Sequence, residues 1–212
     1  MKMAVRPQLP PADGEKHFGA EKWEKLLLFA DLLAEEGERR GLLGPREMGK
    51  LWDRHLLNSL AIDGFLFGGC TLADVGAGAG FPGLVIAIVR PDTEVSLIET
   101  MERRCEWLNL VKDRLKLDNV RVLNARAEEL KKKVRVDFVT ARAVASLKKL
   151  IPLTIPLLKE EGSLLAIKGA RAEEEVKEAS ALLQKFRAKW VDVYDVPVWG
   201  AAEGTRVLRV KI

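Results

Sequence analysis

The chain has 212 residues, of which 48% are apolar and 31% charged, which fits one globular domain or one domain with an appendage. No apolar run approaches the ~20 residues of a membrane span, and the N-terminus lacks the apolar core of a signal peptide, so we expect a cytoplasmic protein. The formal net charge of +4 mildly favours an anionic partner such as nucleic acid. Two cysteines do not make a disulfide framework, and with only two histidines we expect no zinc site.

The first third of the chain is predicted to be helical. Residues 1–14 are rich in proline and polar groups and are expected to form an arm. Apolar residues recur at helical spacing over residues 15–41 and again over residues 48–60, with glycines and a proline between the two stretches. We therefore expect a helical cap over residues 15–69, followed by a second unit over residues 70–212.

A glycine-rich turn follows the first predicted strand, Leu72–Val75. The glycines of this turn are Gly76, Gly78, Gly80 and Gly83. An apolar helix is predicted from about Phe81, with Pro82 in its first turn, where a missing N–H does no harm. Glycines let a ligand lie on bare backbone, and a helix start offers unpaired N–H groups, so this stretch predicts a ligand site.

The ligand is indicated by Asp74, two residues before the first glycine. The segment Gly78–Gly83 also fits the dinucleotide pattern G-x-G-x-x-G, but a carboxylate at the strand end would repel a pyrophosphate. The same carboxylate suits the ammonium group of S-adenosylmethionine. D-x-G-x-G-x-G after a strand resembles the class I methyltransferases; a nicotinamide-dependent oxidoreductase is the alternative.

From residue 70 onwards, strands and helices alternate, which predicts a doubly wound α/β fold with its ligand site at the carboxyl ends of the strands. The further strands are expected at residues 94–99, 120–124, 136–142, 162–168, 190–198 and 205–212. Helices are expected at 102–115 and 172–186, with a partly helical stretch at 147–158 that Pro152 and Pro156 kink or divide. The methyltransferase resemblance implies a Rossmann-like, seven-stranded, mainly parallel sheet that closes with a hairpin.

Two strand ends carry candidate cofactor contacts. Glu99 ends the second strand about 20 residues beyond the glycine turn, where an acid commonly accepts from ribose hydroxyls. Thr100 and Met101 would then flank the adenosine. Ala127 and Glu128 follow the third strand, where the adenine edge is usually read, although Glu128 fits equally well as an ordinary acid at a helix start.

The fourth strand ends in Thr140-Ala-Arg142-Ala143. An arginine at this edge suits a phosphate, a cofactor carboxylate or a base oxygen. No Asn/Asp-Pro-Pro-Tyr follows this strand, as an adenine-N6 enzyme would require. Neither Cys70 nor Cys105 follows a proline, so a cysteine nucleophile for cytosine-C5 chemistry is unsupported.

Several motifs together resemble the bacterial small-subunit ribosomal RNA guanine-N7 methyltransferases, also called the glucose-inhibited division protein B family, from about residue 20 to the end. They are Arg54-His55-Leu-Leu-Asn-Ser-Leu60, Asp74–Gly83, Arg103–Leu108, Thr140–Ala143 and Lys168-Gly169. Asn58 stands where that family more often has Asp. The resemblance implies S-adenosylmethionine contacts at Gly76, Phe81, Glu99, Thr100, Met101, Ala127, Glu128 and Arg142.

The resemblance also implies a reaction that needs no general base, because guanine N7 carries an in-plane lone pair. Catalysis would rest on alignment, with Arg54, His55, Arg142 and Lys168 on the substrate side. An arginine or lysine that reads the guanine should contact O6 or a phosphate, because the common bidentate contact would occupy N7. A ribosome-assembly factor that binds S-adenosylmethionine without transferring methyl groups is the second alternative.

The expected substrate is the small subunit or an assembly intermediate, bound by a monomer. A-form RNA hides N7 in a deep groove, so the target should lie in a loop or bulge or be flipped out. An electrostatic RNA face is predicted from the cap and the strand ends. Its basic residues are Arg54, Arg103, Arg104, Arg142, Lys148, Lys149, Lys168 and Arg171.

Overall fold

A computed structural model of the chain describes residues 7–201 and 203–212. The first six residues of the predicted arm lie outside the described residues. The rest of the arm is fastened to the cap by Gln8, whose side-chain carbonyl accepts from the N–H groups of Trp52 and Asp53 at 3.0 and 3.1 Å. The backbone N–H of Gln8 donates to the carbonyl of Met48 at 2.9 Å. The division into arm, cap and main domain stays a prediction.

The cap contains more breaks than the apolar spacing predicts. Its first stretch forms two α-helices, α1 (Gly14–Phe18) and α2 (Ala20–Glu36), because Gly19 between them has a φ of 81°. The second stretch is a 3-10 turn, Met48–Lys50, then a π-helix, Leu51–Leu57, and a second 3-10 helix, Leu60–Phe65. Apolar residues three or four apart fit each of these helix types, so spacing alone does not distinguish them. Short π-helical segments frequently occur at functional sites.

Seven strands form one sheet. They are β1 (Thr71–Val75), β2 (Glu94–Glu99), β3 (Val120–Asn124), β4 (Val136–Arg142), β5 (Leu158–Lys168), β6 (Trp190–Val196) and β7 (Thr205–Lys211). Their order is β3-β2-β1-β4-β5-β7-β6, and β7 runs antiparallel to both of its neighbours. The predicted seven-stranded, mainly parallel sheet with a terminal hairpin is confirmed; β5 begins four residues earlier than predicted.

Two apolar cores lie on opposite faces of the sheet, because successive strand residues point to opposite sides. Leu72 of β1 belongs to the core on one face of the sheet, which is covered by the cap, α3 (Gly83–Val89) and α4 (Glu102–Leu115). Ala73 belongs to the core under α5 (Leu147–Thr154) and α6 (Ala172–Lys185). Among the described residues, no helix is both long and apolar enough to cross a membrane.

The topology brings the carboxyl ends of β1, β2, β4 and β5 to one edge of the sheet. The strand order reverses between β1 and β4, and a crevice at such a reversal is where open α/β sheets bind ligands. The glycine turn follows β1 at this point, and Arg142 ends β4 beside it.

Candidate functional site

The glycine turn requires glycine at three positions. Gly76, Gly78 and Gly80 have φ values of 75°, 57° and 109°, a region that costs other residues about 1–2 kcal/mol. A Cβ at Gly76 would lie 2.8 Å from Val144, and one at Gly80 would lie 2.3 Å from Leu84. A Cβ at Gly78 would meet nothing nearer than 3.7 Å, so the open approach to this backbone is over Gly78.

Asp74 is fully buried directly before the turn. Its Oδ2 accepts from the backbone N–H of Gly83 at 2.9 Å, which fastens the start of α3 to the end of β1. Its Oδ1 is buried and has no hydrogen-bond partner among the described residues. Burial raises the pKa of Asp74 to about 7, opposed by the Gly83 N–H and the charge of Arg142. One carboxylate oxygen is therefore available to a donor.

Glu99 ties the glycine turn to the end of β2. Its Oε2 accepts from the N–H of Gly78 at 3.0 Å, and its Oε1 accepts from the N–H groups of Thr100 and Met101 at 2.7 and 3.0 Å. Burial raises the pKa of Glu99, but these N–H groups and Arg104 outweigh burial and hold the pKa below its usual range. A carboxylate oxygen can accept more than one hydrogen bond, so Oε2 can take a further donor such as a hydroxyl.

The other predicted adenosine contacts follow β2 and β3. Thr100 and Met101 are exposed, and 36% of the Met101 surface is accessible. Ala127 is buried at the start of a 3-10 helix, Ala127–Leu130, whereas Glu128 points to solvent. The structure places all four residues at the carboxyl edge of the sheet, and their contacts with a cofactor stay predictions.

The residues at this edge fit S-adenosylmethionine better than a dinucleotide. The orphaned Oδ1 of Asp74 suits an ammonium group, Oε2 of Glu99 suits a ribose hydroxyl, and the backbone at Gly78, which donates to Oε2, is open. A pyrophosphate in that space would face two buried carboxylates.

Arg142 joins the end of β4 to the cap. Its Nη1 donates to the backbone carbonyl of Arg54 at 3.0 Å, and its Nη2 donates to Nδ1 of His55 at 2.9 Å. The guanidinium lies 4.8 Å from the ring centre of Phe81, and the His55 ring stacks on the same phenyl ring at 5.3 Å. Arg142 from the sheet and His55 from the cap thus both pack on the ring of Phe81 in the glycine turn.

The protonation of His55 follows from its partners. Arginine nitrogens only donate, so Nδ1 of His55 must carry the lone pair. Its Nε2 then carries the proton and donates to Oε2 of Glu47 at 2.9 Å. Burial, together with the charge of Arg142, lowers the pKa of His55 to about 4, so the ring is neutral near pH 7.

Burial also lowers the pKa of Arg142 to about 10, and Asp74 and Glu47 oppose this shift, so the guanidinium remains charged at neutral pH. Arg54 differs from these two residues, because 62% of its side chain is exposed and its nearest acid, Glu47, is 3.8 Å away. Arg54 holds Arg142 through its backbone carbonyl, while the Arg54 side chain extends into solvent.

Lys168 is engaged within the protein. Its side chain is 9% exposed, and its Nζ donates to the carbonyl of Ala145 at 2.7 Å and to Glu175 at 2.8 Å. The other predicted basic residues divide into two groups. Arg103, Lys148 and Lys149 are exposed without an ion pair among the described residues, whereas Arg104 lies 3.6 Å from Glu99 and Arg171 pairs with Glu174. An RNA contact for Lys168 stays a prediction.

Sequence reasoning missed four residues that shape the site. They are Glu47 beside His55, Trp107, whose ring N–H donates to the carbonyl of Ala79 at 3.0 Å, Val144 over Gly76, and Glu175 beside Lys168. Trp107 lies inside the recognised segment Arg103–Leu108, which was its only signal. The other three belong to no motif. Glu47 and Glu175 lie only eight and seven residues from His55 and Lys168, but nothing in the local sequence marks them as partners, and Val144 is distant in the chain from Gly76.

A cavity of about 300 Å³ lies away from the glycine turn, beside α1 and the connection between β6 and β7. His17 and Trp199 line it, with their rings stacked 3.9 Å apart. It contains neither the glycines nor the buried carboxylates described above, so we place the candidate site at the sheet edge.

A family model and named relatives that match this chain carry the same description. The family model described as GidB, rRNA small subunit methyltransferase G, matches residues 22–197, which is most of the chain. A protein named ribosomal RNA small subunit methyltransferase G from Beutenbergia cavernae is 50% identical over 184 residues, or 87% of each chain. Its namesake from Thermobifida fusca is 46% identical over 95% of this chain and 85% of that protein.

Among solved structures, a SAM-dependent methyltransferase from Aquifex aeolicus superimposes with a TM-score of 0.56. It is 22% identical, and the match covers 80% of this chain and 99% of that one. At this identity the likeness shows the fold alone, and that fold agrees with the strand order described above.

Proposed function

The chain belongs to the rRNA small subunit methyltransferase G family, and we propose that it transfers the methyl group of S-adenosylmethionine to N7 of a guanine in small-subunit (16S) ribosomal RNA. S-adenosylhomocysteine is the other product. The observation that carries the proposal is the pair of buried carboxylates, Asp74 and Glu99, on either side of the open glycine turn in a chain of this family.

The cofactor is assigned to the carboxyl ends of β1, β2 and β3. Oδ1 of Asp74 accepts from its ammonium group, and Oε2 of Glu99 accepts from a ribose hydroxyl. The methionine part lies along the glycine turn, and the adenosine lies beside the residues that follow β2 and β3. These residues are Gly76, Gly78, Gly80 and Phe81 along the turn, and Thr100, Met101, Ala127 and Glu128 beside the adenosine. When bound, the cofactor supplies an electrophilic methyl group on a sulfonium.

The chain's own residues contribute alignment rather than proton transfer. Guanine N7 is unprotonated at neutral pH, so no base is required, and oriented reactants can gain about 7–11 kcal/mol from proximity. Arg142 contacts O6 or a phosphate of the target nucleotide, which its fixed position against His55 and the backbone of Arg54 supports. Neutral His55 accepts from this guanidinium without repelling it.

The exposed basic residues serve the rest of the RNA. Arg54, Arg103, Lys148 and Lys149 are open to solvent, as phosphate contacts require. We assign the protein to the assembled small subunit or to an assembly intermediate, because its small size leaves the folding of the RNA to other components. We also propose that it acts in the cytoplasm and as a monomer, since one chain supplies every residue of the site.

The proposal is tested with small subunits from cells that lack the gene. The purified protein and labelled S-adenosylmethionine should add one methyl group per subunit, and reduction followed by aniline cleavage should cut the RNA at the N7-methylated guanine. The matched control is Gly78→Val, which should transfer nothing. Cofactor binding without transfer would favour the assembly-factor alternative, and NAD binding without S-adenosylmethionine binding would favour an oxidoreductase.

A further inference from the structure

The loop after β4 is held by an ion pair that the proposed reaction does not use directly. Oε2 of Glu175, on α6, accepts from the backbone N–H of Leu147 at 2.6 Å and from Nζ of Lys168 at 2.8 Å. Nζ of Lys168, at the end of β5, also donates to the carbonyl of Ala145 at 2.7 Å. The pair therefore fixes a backbone acceptor and a backbone donor two residues apart in the same loop.

This loop carries an apolar side chain to the glycine turn. Ala143 has a φ of 55°, which a residue with a Cβ adopts only where its surroundings enforce it. The next residue, Val144, packs over Gly76, where an added Cβ would lie 2.8 Å from its Cγ2. Val144 nevertheless keeps 41% of its surface exposed, which is high for a valine in a packed protein. Val144 is thus an exposed apolar group that packs on the glycine turn two residues beyond Arg142.

We propose that Val144 forms the apolar wall against which the ring of the target guanine packs, and that Lys168 and Glu175 are positioning residues that hold this wall in place. The inference rests on the proposed function, because it assumes that a base enters at this edge. It assigns Lys168 to the protein side of the site, where its 9% exposed side chain already lies.

The hydrogen bonds of Lys168 and Glu175 with the loop backbone distinguish a positioning role from that of a simple ion pair. The loop needs a donor at residue 168 for the Ala145 carbonyl and an acceptor at residue 175 for the Leu147 N–H. Exchanging the charges, Lys168→Glu with Glu175→Lys, keeps an ion pair. It would place the carboxylate at residue 168 against the Ala145 carbonyl and the ammonium at residue 175 against the Leu147 N–H, so neither hydrogen bond could form. The exchange should therefore fail to restore activity, whereas Glu175→Gln keeps an acceptor and should retain most of it.

The decisive variant is Glu175→Leu, with Glu174→Leu as its matched control. Glu174 is the preceding residue of α6, its side chain is 63% exposed, and its one ion pair among the described residues is with Arg171. We expect Glu175→Leu to lower kcat for methylation of small subunits by about a hundredfold, the cost of a misplaced reacting group. Its affinity for S-adenosylmethionine should change much less, and Glu174→Leu should match the wild type in both.

Two further measurements exclude a purely structural role. Hydrogen exchange should show the 143–147 segment losing protection in Glu175→Leu while the strands stay protected, with no such change in Glu174→Leu. Val144→Ala should also lower kcat, and combining it with Glu175→Leu should add little, because both changes act on one contact.

Full kcat in Glu175→Leu, assayed where the variant is folded, would overturn the inference, as would additive effects of the two changes. Complete rescue by the charge exchange would also overturn it. Failure of the proposed function looks different, because the wild-type protein itself would then leave small subunits unmethylated.

Discussion

The cofactor side and the substrate side of the site differ in how far along the chain their contacts reach. On the cofactor side, Asp74 bonds to Gly83 and Glu99 bonds to Gly78, over separations of 9 and 21 residues. On the substrate side, His55 bonds to Arg142 over 87 residues. The first set is built within one strand–turn–helix unit and its neighbouring strand, whereas the second joins the π-helix Leu51–Leu57 to the end of β4.

The two sides also differ in charge. Buried carboxylates border the glycine turn, whereas a neutral histidine and a half-buried arginine border the cap. Asp74 and Arg142 are the groups through which the sides influence each other, since each opposes the pKa shift of the other. Away from these two residues, changes on the cofactor side should affect mainly cofactor binding, and changes on the substrate side mainly methyl transfer.

The largest effect is expected at the glycine turn. Gly78→Val should abolish S-adenosylmethionine binding, because the side chain fills the open space over this backbone. Gly41→Val is the matched control, since Gly41 has a similar φ of 64°, also faces open space and lies far from the site in sequence. Both variants should lose about 1–2 kcal/mol of stability from the left-handed backbone. Calorimetric titration that finds equal cofactor affinity in both would contradict the assignment.

Arg142→Ala should affect both sides, because it removes the charge near Asp74 and leaves Nδ1 of His55 without its donor. We expect methyl transfer to fall by about a hundredfold from misalignment, with a smaller loss of cofactor affinity. Arg142→Lys should not restore transfer, since a single ammonium does not reproduce the two-pronged contact with Arg54 and His55. Restoration by lysine would show that charge alone suffices.

The pH dependence of stability should separate Asp74 from His55. Native Asp74 holds a proton up to a pH of about 7, well above its unfolded pKa, so its contribution to stability falls as the pH rises from about 4 to about 7. Native His55 stays neutral down to about pH 4 while the unfolded residue is protonated below about 6.5, so its contribution rises with pH in that window.

Urea unfolding at several pH values should therefore show opposite trends in two variants. Relative to the wild type, Asp74→Asn should become more stable as the pH rises from 4 to 7, and His55→Phe should become less stable as it rises from 4 to 6.5. Parallel trends in the two variants would contradict the assigned pKa directions.

Cofactor affinity of the wild type should also weaken as the pH falls below about 7, because protonated Asp74 is a poorer partner for an ammonium.

The smallest structural effect is expected for Arg54→Ala. Its side chain is largely exposed and the backbone carbonyl that holds Arg142 remains, so stability should change by less than about 0.5 kcal/mol. Cofactor affinity should be unchanged, whereas transfer to small subunits should collapse and its salt dependence should weaken if this guanidinium contacts RNA. Transfer and salt dependence equal to those of the wild type would remove Arg54 from the substrate side.

The contrast between the short-range contacts of the cofactor side and the long-range contacts of the substrate side also explains what the sequence could predict. The strand, the glycine turn and the acids Asp74 and Glu99 follow one another at fixed spacing, so their placement could be inferred locally. The π-helix and the break at Gly19 could not, because apolar residues at helical spacing do not reveal the hydrogen-bond register.

Particular side-chain contacts were the other feature that the sequence did not predict. Glu47, Val144 and Glu175 are an ordinary acid, an ordinary loop residue and one of several acids on α6 until the fold brings them to His55, Gly76 and Lys168. For the same reason, Lys168 was recognised as part of a motif while its partners were not. The position of these side chains in the fold, together with their chemistry, gives them their role.

The most direct test of the division between the two sides is the cofactor affinity of His55→Phe measured beside its rate of methyl transfer. Phenylalanine keeps a ring on Phe81 but offers no acceptor to Arg142 and no donor to Glu47. The predicted result is an S-adenosylmethionine affinity close to that of the wild type with transfer to small subunits strongly reduced. Loss of both in equal measure, or transfer at the wild-type rate, would contradict it.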